Sequence, residues 1–348
     1  MNKASKSLST TALPPSEFNQ TVIRWQSEHG RNELPWQLEQ DPYHVLVSEF
    51  MLQQTQVATV IPYFSRWLHH FPTLATLASA SEDEVLTQWQ GLGFYRRARN
   101  LHKAAQYLQE TYQGQIPAQP QLLQEVPGIG PYTAGAITAF AFNQPAALVD
   151  GNVKRVFCRY FGIEQVPTST AADKLIWQLA ENYYPEQDNR SYAQGLLDLG
   201  ATICTPRKPN CINCPLRASC YAYQQQRVDD LPTKPARKTT PTRSGHFIWI
   251  SNAKGIFLTQ RGGDVIWPRL WSFPEVTEPP LKAALHGHFK HTFSHYKLAA
   301  QVWQLAHPNQ LAETLSTGLE LISWQQLKNI ALPTPIKRYL DKHQQNPG

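Results

Sequence analysis

The sequence predicts two domains, a mostly α-helical one over residues 16–226 and a smaller α+β one over 245–342, joined by a linker over 227–244. Three observations lead there. At 348 residues the chain is too long for one ordinary core, since a domain takes about 150 residues. From Glu17 to Tyr223 apolar residues recur at three- and four-residue spacing, punctuated by Pro, Gly and Asn-Gly. From Arg227 to Ser244 (RVDDLPTKPARKTTPTRS) that period vanishes and proline and charge take over, as in an extended, solvated linker.

The clearest helical stretches are Val45–Phe64, Val85–Tyr112 with a break at Gly91-Leu92-Gly93, Leu122–Phe142 around a central Pro-Gly-Ile-Gly-Pro, and Val153–Phe161. Past the linker, HFIWI (246–250), a turn-prone SNAKG and IFLTQR (256–261) read as a β-hairpin. WSFPEV (271–276) reads as another strand and Lys337–His343 as a closing helix. Residues 1–15 lack the apolar core of a signal peptide and are expected to be a disordered tail; 343–348 form the C-terminal tail. No apolar run approaches the roughly 20 residues of a bilayer span. A soluble, cytoplasmic chain with no membrane partner is expected.

A net charge of +6 and a pI near 9.0 favour a polyanionic partner, because cations set against phosphates release counterions. Four of the five cysteines, Cys204, Cys211, Cys214 and Cys220, fall within 17 positions. Such clustering is unlike a secreted disulfide framework and points to a metal. The spacing C-x6-C-x2-C-x5-C contains one C-x2-C knuckle, where zinc ribbons use two well apart. A four-iron cluster needs one thiolate per iron and tolerates uneven spacing, so iron is favoured, with zinc the standing alternative. Cys158 lies outside the loop and reads as a small buried side chain.

Glu49 shares a helix face with Val45, Leu46 and Leu52, so its carboxyl should hold its proton more tightly than usual. That is what a general acid near neutral pH requires, although a glutamate satisfied by a neighbouring polar group fits as well. Asp150 opens Val-Asp-Gly-Asn-Val-Lys-Arg (149–155) and reads first as the N-cap of the following helix. Leu122–Ile137 reads as two short helices joined by a glycine-rich turn. Gly128 and Gly130 allow close backbone approach, and free amides at the second helix start suit a phosphate.

The cysteine spacing, together with these segments, resembles the iron–sulfur branch of the helix-hairpin-helix DNA glycosylases, and within it the adenine glycosylases. The match includes Ser-Glu-Phe-Met-Leu-Gln-Gln-Thr-Gln-Val (48–57), Val-Pro-Gly-Ile-Gly-Pro-Tyr (126–132) and Gly-Leu-Gly-Phe-Tyr-Arg-Arg (91–97). It also includes Leu-Trp-Ser-Phe-Pro (270–274) and His-Thr-Phe-Ser-His-Tyr (291–296). The resemblance implies a helix-hairpin-helix glycosylase domain with an iron–sulfur loop over 204–220, holding one [4Fe-4S] cluster, and a smaller Nudix-like C-terminal domain.

It further implies that adenine mispaired with 8-oxoguanine or guanine in double-stranded DNA is the substrate. Glu49 would protonate adenine and Asp150 would stabilise the cationic sugar. Tyr132 stands where strand-cleaving relatives carry a lysine, which implies a monofunctional enzyme with Tyr132 hydrogen-bonding in the site. Trp36, Gln37 and Gln194 resemble positions lining the adenine pocket, and Phe293, Ser294 and His295 the loop that contacts 8-oxoguanine. A base inside a duplex must be flipped out and the gap filled, for which Gln54 and Phe94 are the candidates. Phe94 replaces the family's tyrosine, keeping the ring and losing the hydroxyl; without the resemblance it would be taken for core. Lys154, Arg96, Arg97 and Arg99 are candidate phosphate contacts. Residues 282–287 (KAALHG) occupy the place of a metal-binding Nudix helix without its glutamates, which argues against that hydrolysis. A monomer is expected, with the linker as a place for contacts with other repair proteins. An endonuclease III-like lyase and a non-catalytic iron–sulfur DNA-binding module are the alternatives.

Overall fold

The computed structural model describes residues 12–236, 239–263, 265–281, 283–311 and 318–344. These form two compact units: residues up to 78 together with 103–236, and residues 79–102 together with the C-terminal part from 237 onward. The segment 79–102, assigned from sequence to the helical domain, thus groups with the C-terminal unit. Within that unit Tyr95 Oη donates to the Leu332 carbonyl at 3.0 Å and Arg99 Nη1 to that of Pro268 at 3.0 Å.

The first unit is all-helical. Its helices are α1 Pro15–His29, α2 Pro35–Leu38, α3 Pro42–Leu52, α4 Val57–His70 and α5 Leu74–Ser79. Helices α6 Glu82–Gln88 and the start of α7 Arg96–Tyr112 belong to the second unit. The first then continues with α8 Pro120–Leu123, α9 Pro131–Phe142, α10 Gly151–Phe161, α11 Thr170–Tyr183, α12 Asn189–Asp198 and α13 Tyr221–Gln224. Proline opens α1, α2, α3, α8 and α9 in the first turn, where its missing N–H costs nothing. The expected continuous helix over 45–64 is two: α3 ends at Leu52, and Gln54 turns through a left-handed φ of 57° before α4.

Helices α3 and α9 are buried on nearly every side, from Tyr43 to Met51 and from Thr133 to Ala139. A helix apolar all round belongs in a core. Gly135 makes their surroundings tight, because a Cβ there would sit 2.0 Å from the Ala147 carbonyl oxygen. The chain leading to Asp150 is thereby pressed against α9. A second core gathers Phe18 with Tyr160, Phe161 and Tyr183 from α1, α10 and α11.

One expected tail and the expected linker are each tied down in part. Residues 1–11 lie outside the described residues, but Leu13 is held by Tyr160 Oη at 2.9 Å and Tyr183 Oη at 3.0 Å, and α1 starts at Pro15. The linker is likewise tied down at its beginning: Arg227 is ion-paired with Glu164, and Arg159 Nε donates to the Leu231 carbonyl at 2.7 Å. Composition missed these contacts because they come from partners some 60 or more residues away in sequence.

The second unit holds two sheets. One has the order β5-β1-β7-β6, from Glu275–Val276, Thr242–Trp249, Lys297–Gln304 and Ala284–Thr292. The other runs β2 Ser251–Asn252, β3 Gly255–Gln260 and β4 Trp271–Ser272, with β8 Leu319–Ser323 also on β3. The expected hairpin is therefore cut short. Strand β1 pairs in parallel with β7, and the turn at 253–254 joins only β2 to β3. The expected strand 271–276 is split between the sheets by Phe273-Pro274. Lys282 lies outside the described residues, and strand β6 follows it directly from residue 284. The closing helix, α14, spans Thr334–His343, starting three residues before the expected Lys337 and ending at His343 as expected. It packs Ile336, Tyr339 and Leu340 into the core of this unit.

Gly135→Ala should lower stability by about 1–3 kcal/mol in chemical denaturation, the usual cost of overpacking. Gly130→Ala, where an added Cβ meets nothing within 4 Å, should change it little.

Candidate active site

The first unit encloses a cavity of about 220 Å³, lined by side chains from α2, α3, α9 and α12 and the loop before α2. Glu49, Tyr132, Trp36, Gln37 and Gln194, far apart in sequence, all face it. Each is fixed by local structure. Trp36 is buried with its ring 5.5 Å from Phe64, edge to face. Gln37 Oε1 accepts from Leu34 N–H at 3.1 Å, and Gln194 Nε2 donates to Asp198 Oδ1 at 2.9 Å.

Glu49 is 4% exposed. The Tyr132 hydroxyl hydrogen-bonds to it, while among the described residues its Oε2 has no partner. Burial pushes its carboxyl from 4.5 up to about 7; the tyrosine bond works against that rise and the charge of Asp150 adds to it. Burial also holds the Tyr132 hydroxyl well above its ordinary value, so Tyr132 is a donor, not a phenolate.

Asp150 does not line the cavity, yet it is near enough to act on Glu49 electrostatically. It caps α10 as expected: Oδ1 accepts from Asn152 N–H and Val153 N–H, each at 2.8 Å, and Oδ2 from Asn152 Nδ2 at 2.7 Å. Burial raises its pKa and these bonds oppose the rise. Fixed in this way, the carboxylate has little freedom to move when its surroundings change.

Arg31 and Asp198 were not legible as site residues. Asp198 is fully buried, and Arg31 reaches it with Nε at 2.7 Å and Nη2 at 2.6 Å. Asp198 stands one helical turn after Gln194, a usable hint, whereas Arg31 is 167 residues away and gives none. Arg155 was also missed: it donates to Asn152 Oδ1 at 2.9 Å and to the carbonyls of Gly200 and Cys204, each at 2.6 Å.

The four cysteines Cys204, Cys211, Cys214 and Cys220 line one small cavity. Buried Arg159 closes it, donating from Nη1 to Cys204 Sγ at 3.3 Å and to the Thr205 carbonyl at 2.8 Å. Among the described residues no three Cys, His, Asp or Glu side chains converge closely enough for a single ion. Cys158 is buried, as read.

The remaining candidates lie at exposed turns. Gly128 takes a φ of 82° and Gly130 caps α9, with open space around it. Gln54 is exposed at its left-handed turn. Phe94, in the second unit, is 56% exposed with a φ of 48°, so it is not a core residue. Lys154 Nζ is ion-paired to Asp173 at 2.5 Å. Of the three arginines after Phe94, Arg96 is exposed, while Arg97 is buried against the Leu92 and Gly93 carbonyls and Arg99 bonds Pro268. In the second unit Phe293 N–H donates to the Tyr296 carbonyl at 2.9 Å, closing a tight turn between β6 and β7 that exposes Ser294 and His295.

Fold and cavity together define a class. Residues 47–182 match the HhH-GPD superfamily base excision DNA repair proteins and residues 246–342 the NUDIX domain. The adenine DNA glycosylase of Buchnera aphidicola subsp. Acyrthosiphon pisum is 34% identical over 345 residues, 94% of this chain and 98% of that protein. The human adenine DNA glycosylase is 33% identical over 409 aligned residues, 95% of this chain and 75% of that one. A solved thermostable thymine-DNA glycosylase aligns at 29% identity with a TM-score of 0.56, covering 61% of this chain and 97% of its own. Endonuclease III in a non-covalent complex with DNA shares the fold, at 22% identity and a TM-score of 0.52, over 62% of this chain and 98% of its own.

The chain belongs to the adenine DNA glycosylase family: it is a base excision repair enzyme that acts on DNA and removes adenine. Among the described residues no helix is long and apolar enough to cross a membrane.

The Glu49 shift has a sign that stability measurements can check. A folded pKa raised from 4.5 to about 7 favours the protonated native state. The stabilisation is complete below the unfolded value and disappears as pH rises through the folded one. At 1.36 kcal/mol per unit this is on the order of 3 kcal/mol. Wild type should lose that much more than Glu49→Gln in denaturant titrations between pH 5 and 8; equal pH slopes would contradict the shift.

Proposed function

We propose that the enzyme releases adenine opposite 8-oxoguanine or guanine by acid-assisted hydrolysis of the N-glycosidic bond and stops at the abasic site. The observation that carries this reading is Glu49, a carboxyl poised near neutral pH with one oxygen unpaired in a base-sized cavity. Such a pKa lets one group hold its proton until the base arrives and release it as the bond weakens.

In this reading the duplex backbone is gripped without regard to sequence by amides near Gly128 and Gly130. Lys154 adds a phosphate contact by exchanging out of its pair with Asp173. Adenine is flipped into the cavity, with Gln54 and Phe94 filling the stack. Trp36 offers an apolar wall, and Gln37 and Gln194 offer amides already oriented by Leu34 and Asp198. Glu49 protonates a ring nitrogen while Tyr132 fixes its other oxygen. The bond breaks toward an oxocarbenium ion, which the capped Asp150 carboxylate stabilises electrostatically. Water then completes the abasic sugar. With tyrosine at 132, no amine stands there to attack the sugar, which supports a monofunctional reaction.

Phe293, Ser294 and His295 are assigned to reading 8-oxoguanine, within a domain over 245–342. The enzyme is taken to act as a monomer, with the linker open to other repair proteins. The four cysteines are assigned one [4Fe-4S] cluster. The four sulfurs share one small cavity, and their uneven spacing suits a multi-iron group, which takes one thiolate per iron. A buried guanidinium against sulfur suits an anionic cluster.

Single-turnover base release from duplexes with adenine opposite 8-oxoguanine, adenine opposite guanine, and an oxidised pyrimidine tests the reaction. The first two should release adenine and leave an intact, alkali-labile strand; release only from the third, with strand cleavage, would overturn it. Purified protein should carry about four irons per chain with matching sulfide; one zinc and no iron would overturn the cluster.

A further inference from the structure

The exposed Phe94 turn and the Phe293–His295 turn belong to one compact unit, and a continuous set of contacts runs between them. Arg99 lies on the first turns of α7, just past Phe94. Its Nη1 donates to the Pro268 carbonyl at 3.0 Å. Pro268 sits between Trp267 and Arg269, whose φ angles are 54° and 65°. Two non-glycine residues side by side with one proline in left-handed conformations make a strained loop that persists only where its surroundings hold it.

Within its own unit the loop is also tied by Arg269 N–H to the Arg261 carbonyl at 3.0 Å, Leu270 N–H to that of Trp267 at 3.1 Å, Arg261 Nε to the Ile266 carbonyl at 2.6 Å and Gln260 Nε2 to the Arg269 carbonyl at 3.2 Å, while Arg99 is the tie that comes from α7. The loop carries the Trp267 ring, half-buried against Phe247 and under the Arg261 guanidinium, to 5.5 Å from the ring of Phe293 and 5.6 Å from that of His291. Phe293 in turn packs 4.9 Å from Tyr296, the residue that closes the turn presenting Ser294 and His295.

We propose that Arg99 is a positioning residue for recognition of the base opposite adenine: by clamping Pro268 it holds Trp267 against Phe293 and ties the Phe94 turn to the 293–295 turn. The inference rests on the assignment of Phe293, Ser294 and His295 to 8-oxoguanine. It replaces the expectation that Arg99 is a plain phosphate contact. Arginine suits the task because its fork stays charged when half-buried and donates in a fixed direction. Engaging the lesion at one turn would then favour one position of the Phe94 ring, so that recognition and base flipping respond together.

The test uses the full-length protein with Arg99→Met, which keeps the length of the side chain and removes the donor. By hydrogen exchange, amides at 265–270 and 292–296 should exchange faster in this variant, while those of α3 and α9 stay unchanged. In single-turnover assays the rate ratio of adenine opposite 8-oxoguanine to adenine opposite guanine should fall roughly two- to thirtyfold, the span of coupling through packed side chains. Arg99→Lys, which can still donate to the Pro268 carbonyl, should keep most of the protection at 292–296. Unchanged exchange at 292–296 in Arg99→Met, or equal slowing on both duplexes, would overturn the tether; equal slowing is the mark of a phosphate contact. Ser294→Ala with His295→Ala separates the two ideas. If that pair leaves the ratio intact, the reading turn is misassigned, and exchange alone judges the tether. If it erodes the ratio and Arg99→Met does not, the tether fails while the reading turn stands.

Discussion

A carboxyl group removed from water must either find a counter-charge or keep its proton, and at Glu49 burial outweighs the hydrogen bond from Tyr132 that favours the anion. Helix α3 places it there: surrounded by Val45, Leu46, Val47, Phe50 and Met51, all buried, the helix cannot turn this one polar side chain to solvent. Most of the first unit serves this placement. Helix α9 brings Tyr132 to the carboxyl, and Gly135 lets the chain leading to Asp150 press close. The cap on α10 then fixes Asp150 where its charge raises the Glu49 pKa further. Burial raises the pKa of both carboxyls, opposed at Glu49 by the hydrogen bond from Tyr132 and at Asp150 by three that favour its anion.

The proposed contacts to DNA follow a different rule. They lie where the backbone leaves regular structure: Gln54 and Phe94 in left-handed turns, Gly128 ahead of the α9 cap, Ser294 and His295 at a strand turn. A duplex is met by short protrusions that rigid elements hold in place, and strained non-glycine residues at such turns point to function more than to packing. The cysteine loop is coupled to this framework through Arg155, which bonds both the Asn152 amide beside Asp150 and the Cys204 carbonyl. These bonds tie the loop to the region of Asp150, and no cysteine faces the Glu49 cavity.

The helical class of the first unit, the glycine turn before α9, the Asp150 cap and the clustering of the cysteines were all legible, because each is written within a few adjacent residues. Glu49 was legible for the same reason, through its apolar neighbours one turn away. What composition and period missed was settled by distant partners. Strand β1 pairs with β7, some 55 residues on, so the expected hairpin shrank to β2 and β3. Leu13 is held by Tyr160 and Tyr183, and Arg31 meets Asp198 from the other end of the unit. Residues 79–102 have ordinary helical periodicity, and nothing local records that Tyr95 and Arg99 bond to the C-terminal part of the chain. The resemblance to a family supplied roles for Trp36, Gln37 and Gln194; the cavity supplied their common location.

The pH dependence of single-turnover adenine release by wild type and Glu49→Gln, on adenine opposite 8-oxoguanine, bears most directly on the buried carboxyl. With Glu49 as the proton source, the wild-type rate should decline as pH rises through about 7. The variant should be slower by roughly 10²–10⁴-fold below that pH and lack the decline. A variant within a few fold of wild type, or one that retains the same pH profile, would contradict the assignment of Glu49 as the acid.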